Sequence, residues 1–217
     1  MDNSVIDSVF RILKAEVKLL REPIVSKVAR TSDAFQVLVS TMLSLRTKDA
    51  TTEEASRRLF ALAPTPERMV RASVEEIEKA IFPVGFYKTK AKNIMEVSRI
   101  LLDTFGGRVP DGMDRLLALP GVGRKTANLV IILAFGGLGI CVDTNVHRIT
   151  NRWGYVSTRN PDETEMKLRE KLPVEYWTVI NDYLVPYGQF VCVPVSPFCS
   201  RCRLAGFCGR IGVKKSR

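Results

Sequence analysis

Residues 119–128 read Leu119-Pro120-Gly121-Val122-Gly123-Arg124-Lys125-Thr126-Ala127-Asn128, and they are the most informative part of this chain. The two glycines let the backbone turn sharply and leave no side chain between the amide groups and a ligand. An apolar helix follows at once, and the N–H groups at its start can bind a phosphate. We therefore predict a helix-hairpin-helix that grips a nucleic-acid backbone through Gly121, Val122, Gly123 and Arg124. An ordinary tight connection between two helices is the alternative.

Lys125 and Asp143 are the candidate reacting groups. Lys125 lies in the first turn of that helix, and Asp143 follows 18 residues later within Val142-Asp143-Thr144-Asn145. A lysine amine can act as a nucleophile when a nearby group assists its deprotonation. One amine and one carboxylate beside a phosphate-binding turn therefore favour chemistry on a DNA sugar. The alternatives are a phosphate contact for Lys125 and an N-cap for Asp143.

The composition favours a nucleic-acid partner. The 217 residues are 46% hydrophobic, which is enough for a buried core, and they carry a formal net charge of +10. Such a charge suits a polyanion, although many basic proteins bind none. No apolar run approaches the ~20 residues that span a membrane, and Met1-Asp2-Asn3-Ser4 does not begin a secretory signal. We expect a monomer in the cytoplasm, associated with the nucleoid and not with a membrane.

Helical periodicity runs through nearly the whole chain, and convincing period-two alternation is absent. Ser73-Val74-Glu75-Glu76 has the pattern of a capping box, and Thr65-Pro66 and Asn160-Pro161 each place a capping side chain before a proline. We predict about ten helices and no substantial sheet. The helix from Ala127 to Phe135 is apolar on nearly every side, so we predict that it is buried. Glycine-rich residues 136–139 are the best candidate for a domain boundary.

Four cysteines near the C-terminus have the spacing C-x6-C-x2-C-x5-C, and they are Cys192, Cys199, Cys202 and Cys208. Four thiolates bind either zinc or an iron–sulfur cluster. A zinc ribbon has two C-x2-C knuckles, whereas only Cys199 and Cys202 form one here, and the wider gaps suit a bulky cubane. The spacing therefore favours a [4Fe–4S] cluster over zinc, with two disulfides least favoured. Arg201 and Arg203 border the knuckle and are predicted to touch DNA.

Together these motifs resemble those of the endonuclease III family, base-excision DNA glycosylases with apurinic/apyrimidinic lyase activity. The resemblance covers essentially the whole length and rests on the glycine turn with its lysine, on Val142-Asp143-Thr144 and on the cysteine spacing. It also includes Leu43-Ser44-x-x-x-x-Asp49 and Gly85-Phe86-Tyr87-Lys88-x-Lys90-Ala91. It implies an all-α fold of two helical lobes with a DNA-binding cleft, a helix-hairpin-helix and a C-terminal four-cysteine cluster loop.

The resemblance also implies a division of the chain and a mechanism. Residues 1–27 would form an N-terminal helix packing with the cluster lobe, 28–136 a six-helix lobe containing the helix-hairpin-helix, and 137–217 the cluster lobe. The implied activity is removal of oxidised pyrimidines from double-stranded DNA, after extrusion of the nucleotide. Lys125 would attack the sugar C1′ to give a Schiff base, Asp143 would assist it, and β-elimination would break the strand. The [4Fe–4S] cluster would be structural.

Further DNA contacts are expected at Arg46, Phe86, Asn145, Lys88 and Lys90. Arg46 stands where the family usually has a glutamine that fills the space of the flipped base, and Phe86 where a small aliphatic wedge enters the opposite strand. A planar guanidinium can hydrogen-bond an orphan base, and an aromatic ring can stack. Asn145 stands where a histidine is more usual. The preferred opposite base and the ranking of lesions are left open.

Two other functions fit part of the sequence. A mismatch glycosylase of the same superfamily would remove thymine or adenine without a lysine nucleophile, so Lys125 argues against it. A non-catalytic DNA-binding module would use the same turn, but it would explain neither Asp143 nor the cysteine spacing.

Overall fold

The computed structural model of the protein describes residues 1–18 and 33–217. Within these residues it contains eleven α-helices, one short 3₁₀ turn (Val174–Tyr176) and no strand, which confirms the prediction of an all-α fold. In chain order the helices are α1 (Ile6–Val17), α2 (Ala34–Ser44), α3 (Asp49–Leu62), α4 (Pro66–Met69), α5 (Val74–Ile81), α6 (Tyr87–Phe105), α7 (Met113–Leu117), α8 (Arg124–Phe135), α9 (Thr144–Trp153), α10 (Pro161–Lys171) and α11 (Ile180–Phe190). None of the helices described is both long enough and apolar enough to cross a membrane.

The described chain forms two compact units. Residues 33–137 belong to one, which we call the hairpin unit, and residues 1–18 and 138–217 belong to the other, the cysteine unit. The division between Gly137 and Leu138 falls inside the glycine-rich stretch, one residue beyond the boundary expected at 136/137. The boundary expected at 27/28 lies outside the described residues. The described part of the hairpin unit has seven helices where six were expected, two of them (α4 and α7) of five residues or fewer.

Three helices, α4, α5 and α10, begin at the capping residues that the sequence predicts. The Ser73 hydroxyl accepts a hydrogen bond from the N–H of Glu76 at 3.1 Å, and the Glu76 carboxylate accepts one from the N–H of Ser73 at 2.8 Å. Thr65 and Asn160 cap α4 and α10, each followed by proline at the first helical position. The predicted capping box and both capped prolines are thereby confirmed. These side chains satisfy N–H groups that the helix itself leaves without partners.

The core of the hairpin unit is built around α2. Residues Val37 to Leu43 of this helix are buried, and α2 packs against α3, α6 and α8. Leu38 is fully buried in a cluster that also takes in Ile94 of α6 and Val130 of α8. The prediction that the apolar helix is buried along its whole length was wrong for its second half. Residues 131–134 are only half-buried, and Phe135 is exposed, because the last turns of α8 lie at the edge of this core.

The cysteine unit has its own core. Helix α11 packs against both α1 and α9. Phe10 of α1 stacks on Tyr176 with ring centroids 4.0 Å apart. Trp153 and Tyr187 are buried in the same apolar cluster. The N-terminal helix therefore packs with the chain segment that carries the four cysteines.

Candidate active site and nucleic-acid interface

The glycine turn connects α7 to α8 in the hairpin unit, and these two helices pack against each other. Gly121 has a φ of +78°, a left-handed conformation that side chains with a Cβ rarely adopt. A Cβ on Gly121 would also lie 2.5 Å from Nδ2 of Asn93, so helix α6 approaches this turn closely. The left-handed conformation favours glycine here. The turn lies against the Asn93 side chain of α6.

Val122 fixes the turn to the core of the hairpin unit. Its side chain is buried in the core of the hairpin unit, and its N–H donates to the carbonyl oxygen of Leu119 at 3.1 Å. The contact of Val122 with DNA stays a prediction. The amide is used to close the turn, and the side chain fixes it to the core.

Helix α8 begins at Gly123, which has no side chain to cap the first turn. The N–H groups of a first turn lack partners inside the helix and carry the positive end of its dipole. Arg124 and Lys125, both half-buried, occupy this first turn. An uncapped helix start, a guanidinium and an amine are thus gathered within three residues. Such an arrangement can bind an anion and present a nucleophile beside it.

Arg46 and Phe86 lie on two neighbouring turns of the hairpin unit. Both have a left-handed backbone, with φ of 53° and 59°. The Arg46 guanidinium carbon lies 5.6 Å from the centroid of the Phe86 ring, within range of a cation–π interaction. Phe86 is 63% exposed, and Arg46 and Lys88 are exposed as well. A stacked guanidinium and ring at the surface can contact an unpaired base.

Lys90 is not a surface residue, which corrects its prediction as a DNA contact. It is only 8% exposed, and its ammonium group donates to the carbonyl oxygens of Leu43 and Leu45 at 2.8 and 2.6 Å. Burial lowers the pKa of Lys90 to about 8. Its charge therefore serves the interior of the hairpin unit and is unavailable to a phosphate.

Asp143 is the N-cap of α9 in the cysteine unit. Its Oδ1 accepts hydrogen bonds from the N–H groups of Asn145 and Val146 at 2.8 and 2.9 Å. Its Oδ2 accepts a third from the side-chain amide of Asn145 at 2.8 Å. An ionised carboxylate offers about four lone-pair positions, so Asp143 retains acceptor capacity after these three bonds. The capping role is established, and it leaves room for a chemical one.

The side-chain amide of Asn145 is hydrogen-bonded within the protein, and its contact with DNA stays a prediction. While its Nδ2 donates to Asp143, its Oδ1 accepts from the Arg148 guanidinium at 2.8 Å. Arg148 also donates to the carbonyl oxygens of Gly188 and Cys192 at 3.0 and 2.9 Å. Both ends of the Asn145 amide are therefore occupied. A continuous line of hydrogen bonds joins the Asp143 carboxylate to the backbone of residues 192–208, which carry the four cysteines and are called the cysteine segment below.

The four cysteines line one largely apolar cavity of the cysteine unit. All four lie in the described part of the chain and none forms a disulfide. Arg152 donates to Sγ of Cys192 at 3.3 Å, and the Tyr187 hydroxyl lies 3.1 Å from Sγ of Cys202. Burial raises the pKa of the Cys202 thiol, so a thiolate at this position needs a cation to stabilise it.

The four thiols are the candidate ligands for a metal group. Among the described residues, no three His, Cys, Asp or Glu side chains are placed so that they could hold a metal ion. A single zinc requires its ligands to converge at about 2.3 Å from one point. The irons of a cubane each take one thiolate, so the sulfur atoms stand farther apart around it.

Arg201 and Arg203 are both exposed in the cysteine segment. The Arg201 guanidinium stacks on the Phe198 ring at 3.9 Å and donates to the carbonyl oxygen of Phe190 at 3.0 Å. Arg203 lies 3.4 Å from the carboxylate of Glu16, which is half-buried. Both side chains are accessible to a phosphate, and Arg201 is the more firmly held.

Arg148 and Arg152 are the site residues that sequence reasoning missed. They lie one turn apart on α9, opposite the buried Val146, Ile149 and Trp153, and both donate to the backbone of the cysteine segment. The sequence signal that could have found them is two arginines four residues apart on the helix that Asp143 caps. This spacing alone does not show whether the arginines bind a partner at the surface or a group inside the protein.

Comparisons with known proteins agree with this geometry. Residues 39–174 match the HhH-GPD superfamily of base excision DNA repair proteins. Endonuclease III of Thermotoga maritima is 47% identical over 82% of this chain and 84% of that protein. The chloroplastic endonuclease III homolog 1 of Arabidopsis thaliana is 41% identical over 82% of this chain, which spans 49% of that longer protein.

Two solved structures are similar over nearly the whole chain. A non-covalent endonuclease III–DNA complex has a TM-score of 0.82 and 32% identity, covering 93% of this chain and 94% of that one. A trapped endonuclease III–DNA covalent intermediate has a TM-score of 0.80 and the same identity and coverage. The chain therefore belongs to the HhH-GPD superfamily of base excision DNA repair proteins and, within it, to the endonuclease III family.

We predict that Gly121→Ala weakens binding to duplex DNA by about tenfold, because a left-handed alanine costs roughly 1–2 kcal/mol and the turn must rearrange to relieve it. Gly112→Ala is the matched control. It lies at the start of α7 with a negative φ, and an added Cβ meets nothing within 4 Å. Fluorescence anisotropy with a labelled duplex measures both affinities. Equal affinities for the two variants would contradict a role for the left-handed turn.

Proposed function

We propose that this chain is a base excision repair glycosylase that removes oxidised pyrimidines from DNA and then cleaves the strand at the resulting abasic site. Its membership of the endonuclease III family supports the activity. The observation that carries the assignment is the position of Lys125, in the first turn of an uncapped helix directly after a left-handed glycine turn. A phosphate bound at this helix start places a sugar beside an amine.

Lys125 is the nucleophile in this proposal. Its neutral Nζ attacks the sugar C1′, the C1′–N bond breaks, and the base leaves with the bonding electrons. Opening of the sugar ring and loss of a proton from the amine give a Schiff base. The Schiff base acidifies the C2′–H, and its deprotonation expels the phosphate at C3′. The solved covalent intermediate of endonuclease III with DNA supports an enzyme–DNA adduct on this pathway.

Asp143 serves the reaction through its carboxylate. Its three hydrogen bonds hold the side chain in one orientation, and the remaining lone pairs can accept a proton from an amine. A fixed negative charge also stabilises the positive charge that develops on the sugar as the base departs. The line of hydrogen bonds through Asn145 and Arg148 keeps this carboxylate in place.

The partner is double-stranded DNA that contains damaged bases or abasic sites. The N–H groups at the start of α8 hold the backbone, with Gly121, Gly123 and Arg124 closest to it. Arg46 and Phe86 occupy the space of the extruded nucleotide and stack on its neighbours. Exposed Lys88, Arg201 and Arg203 add phosphate contacts. We propose that the protein meets this DNA in the cytoplasm, at the nucleoid.

A [4Fe–4S] cluster held by Cys192, Cys199, Cys202 and Cys208 completes the proposal. The four thiols line one cavity, and nearby donors from Arg152 and Tyr187 can stabilise ligand sulfur atoms. When bound, the cluster ties together a segment that has no regular secondary structure after α11. Its contribution is structural. The cysteine segment in turn accepts hydrogen bonds from Arg148 and presents Arg201 at the surface.

We predict that borohydride traps the wild-type protein covalently on a duplex containing thymine glycol and that Lys125→Ala gives no adduct. Borohydride reduces the Schiff base, which requires the amine of Lys125. Denaturing gel electrophoresis separates the adduct from free DNA. The control, Lys79→Ala, removes an exposed lysine on α5 and is trapped like the wild type. A full yield of adduct from Lys125→Ala would assign the nucleophile to another residue.

Asp143→Asn separates the charge of this side chain from its capping role. Asparagine is as good an N-cap as aspartate, so we expect the free energy of unfolding to fall by at most about 1 kcal/mol. Base excision slows by roughly 10²-fold or more, because the proton acceptor and the fixed charge are lost. Single-turnover kinetics measure the rate. Asp33→Asn makes the same change at the N-cap of α2 and leaves the rate unchanged; equal rates for both variants would remove Asp143 from the chemistry.

The cluster assignment predicts a brown protein with broad visible absorption and about four irons and four sulfides per chain. Cys202→Ser loses the absorption together with most of the iron. Cys141→Ala, at the buried cysteine outside the four-cysteine segment, retains both. Absorption spectra and metal analysis of the purified proteins give the answer without an activity assay. Stoichiometric zinc in a colourless protein would show that the four cysteines hold a single ion.

A further inference from the structure

Lys90 is buried, and every hydrogen of its ammonium group has an acceptor. Besides the carbonyl oxygens of Leu43 and Leu45, Nζ lies 3.3 Å from the hydroxyl of Thr47. An ammonium has three donors and no acceptor, so these contacts saturate it. With a pKa of about 8, the group is protonated at neutral pH. Burying a charge costs free energy that such hydrogen bonds must offset.

The three acceptors surround Arg46 in the chain. Leu43 lies in the last turn of α2, where carbonyl groups lack helical partners and favour a nearby cation. Leu45 and Thr47 flank Arg46 directly. Lys90 therefore holds the backbone before Arg46 and the side chain of Thr47 after it. The left-handed conformation of Arg46 between them is otherwise unfavourable.

The same contacts reach the turn that carries Phe86. The hydroxyl of Thr47 accepts a hydrogen bond from the N–H of Gly85 at 3.2 Å, and the N–H of Lys90 donates to the carbonyl oxygen of Phe86 at 3.0 Å. A Cβ on Gly85 would lie 2.6 Å from the carbonyl oxygen of Arg46, so the two turns touch backbone to backbone. The hydroxyl of Thr47 thus links the Lys90 ammonium to the turn that carries Phe86.

A turn that only connects two helices requires neither a buried lysine ammonium nor two non-glycine residues with a positive φ. Strained residues persist where the surrounding structure over-determines them, and they cluster at functional sites. Here the outcome is an exposed guanidinium held 5.6 Å from an exposed aromatic ring. Both side chains are thus already held at the surface in the free protein.

We propose that Lys90 is a positioning residue for base-pair opening, which holds Arg46 and Phe86 in place so that neither turn reorganises when a nucleotide is extruded. This inference rests on the proposed function, because a preset pair of side chains helps an enzyme that must open a duplex. Opening a correctly paired nucleotide costs more than opening a mispaired one. Loss of Lys90 therefore slows excision most where the lesion is well paired.

The test compares single-turnover excision of thymine glycol from two duplexes, one with adenine and one with cytosine opposite the lesion. We expect Lys90→Met to slow excision opposite adenine by about tenfold and opposite cytosine by less than about threefold, each relative to the wild type. Lys79→Met loses an exposed lysine of the same unit and changes neither rate. Thr47→Val removes the link to Gly85, keeps the side-chain shape and gives a smaller change of the same kind, which provides a second test if Lys90→Met does not fold.

A loss of excision rate that depends on the opposite base indicates a positioning role. General damage to the fold would slow excision from both duplexes by the same factor. If the Lys90 and Thr47 variants slow both duplexes by the same factor, or slow neither, the inference is overturned. A wild type that excises from neither duplex would overturn the proposed function together with this inference. A wild type that excises from both, with variants that lose only the well-paired substrate, establishes the positioning role.

Discussion

Every α-helix starts with N–H groups that have no partner inside the helix, and the functional residues of this chain are arranged around that constraint. Helix α8 starts at Gly123 and offers its first turn without a capping side chain. Helix α9 starts at Asp143, whose carboxylate is the cap and the candidate proton acceptor. Helix α6 starts after Phe86, a left-handed residue without a capping side chain. The same backbone requirement is thus left open at α8 and α6 and is met by a carboxylate at α9.

Two partly or fully buried cations bind loops next to two of these helix starts, those of α6 and α9. Lys90 donates to the end of α2 and the Arg46 turn, and Arg148 donates to Asn145 and to the cysteine segment. Both side chains have several donors and no acceptor, which suits loops rich in carbonyl groups. Rigid placement matters for an enzyme of the endonuclease III family, because a small displacement of a reacting group lowers the rate steeply.

The basic side chains that give the net charge of +10 therefore fall into two groups. Arg46, Lys88, Arg201 and Arg203 are exposed and can meet phosphates or bases, whereas Lys90, Arg148 and Arg152 bind carbonyl oxygens within the protein. The overall charge indicates a polyanionic partner. It overestimates the number of basic side chains that reach DNA, because some of them stabilise the turns that make contact.

The sequence by itself determined the features that depend on a few adjacent residues. The capping box at Ser73, the glycine turn and the cysteine spacing are local patterns, and they were enough to predict an all-α fold, the family and its chemistry. The roles of Lys88 and Lys90 could not be separated in this way. The two lysines are two residues apart on one helix, and only the packing of α6 against α2 decides which of them is buried. The partner of Arg148 could not be predicted locally either, because it is the carbonyl of Cys192, 44 residues away. Helix starts and turns follow from local geometry, whereas the partner of a buried polar side chain follows from long-range packing that the local pattern does not contain.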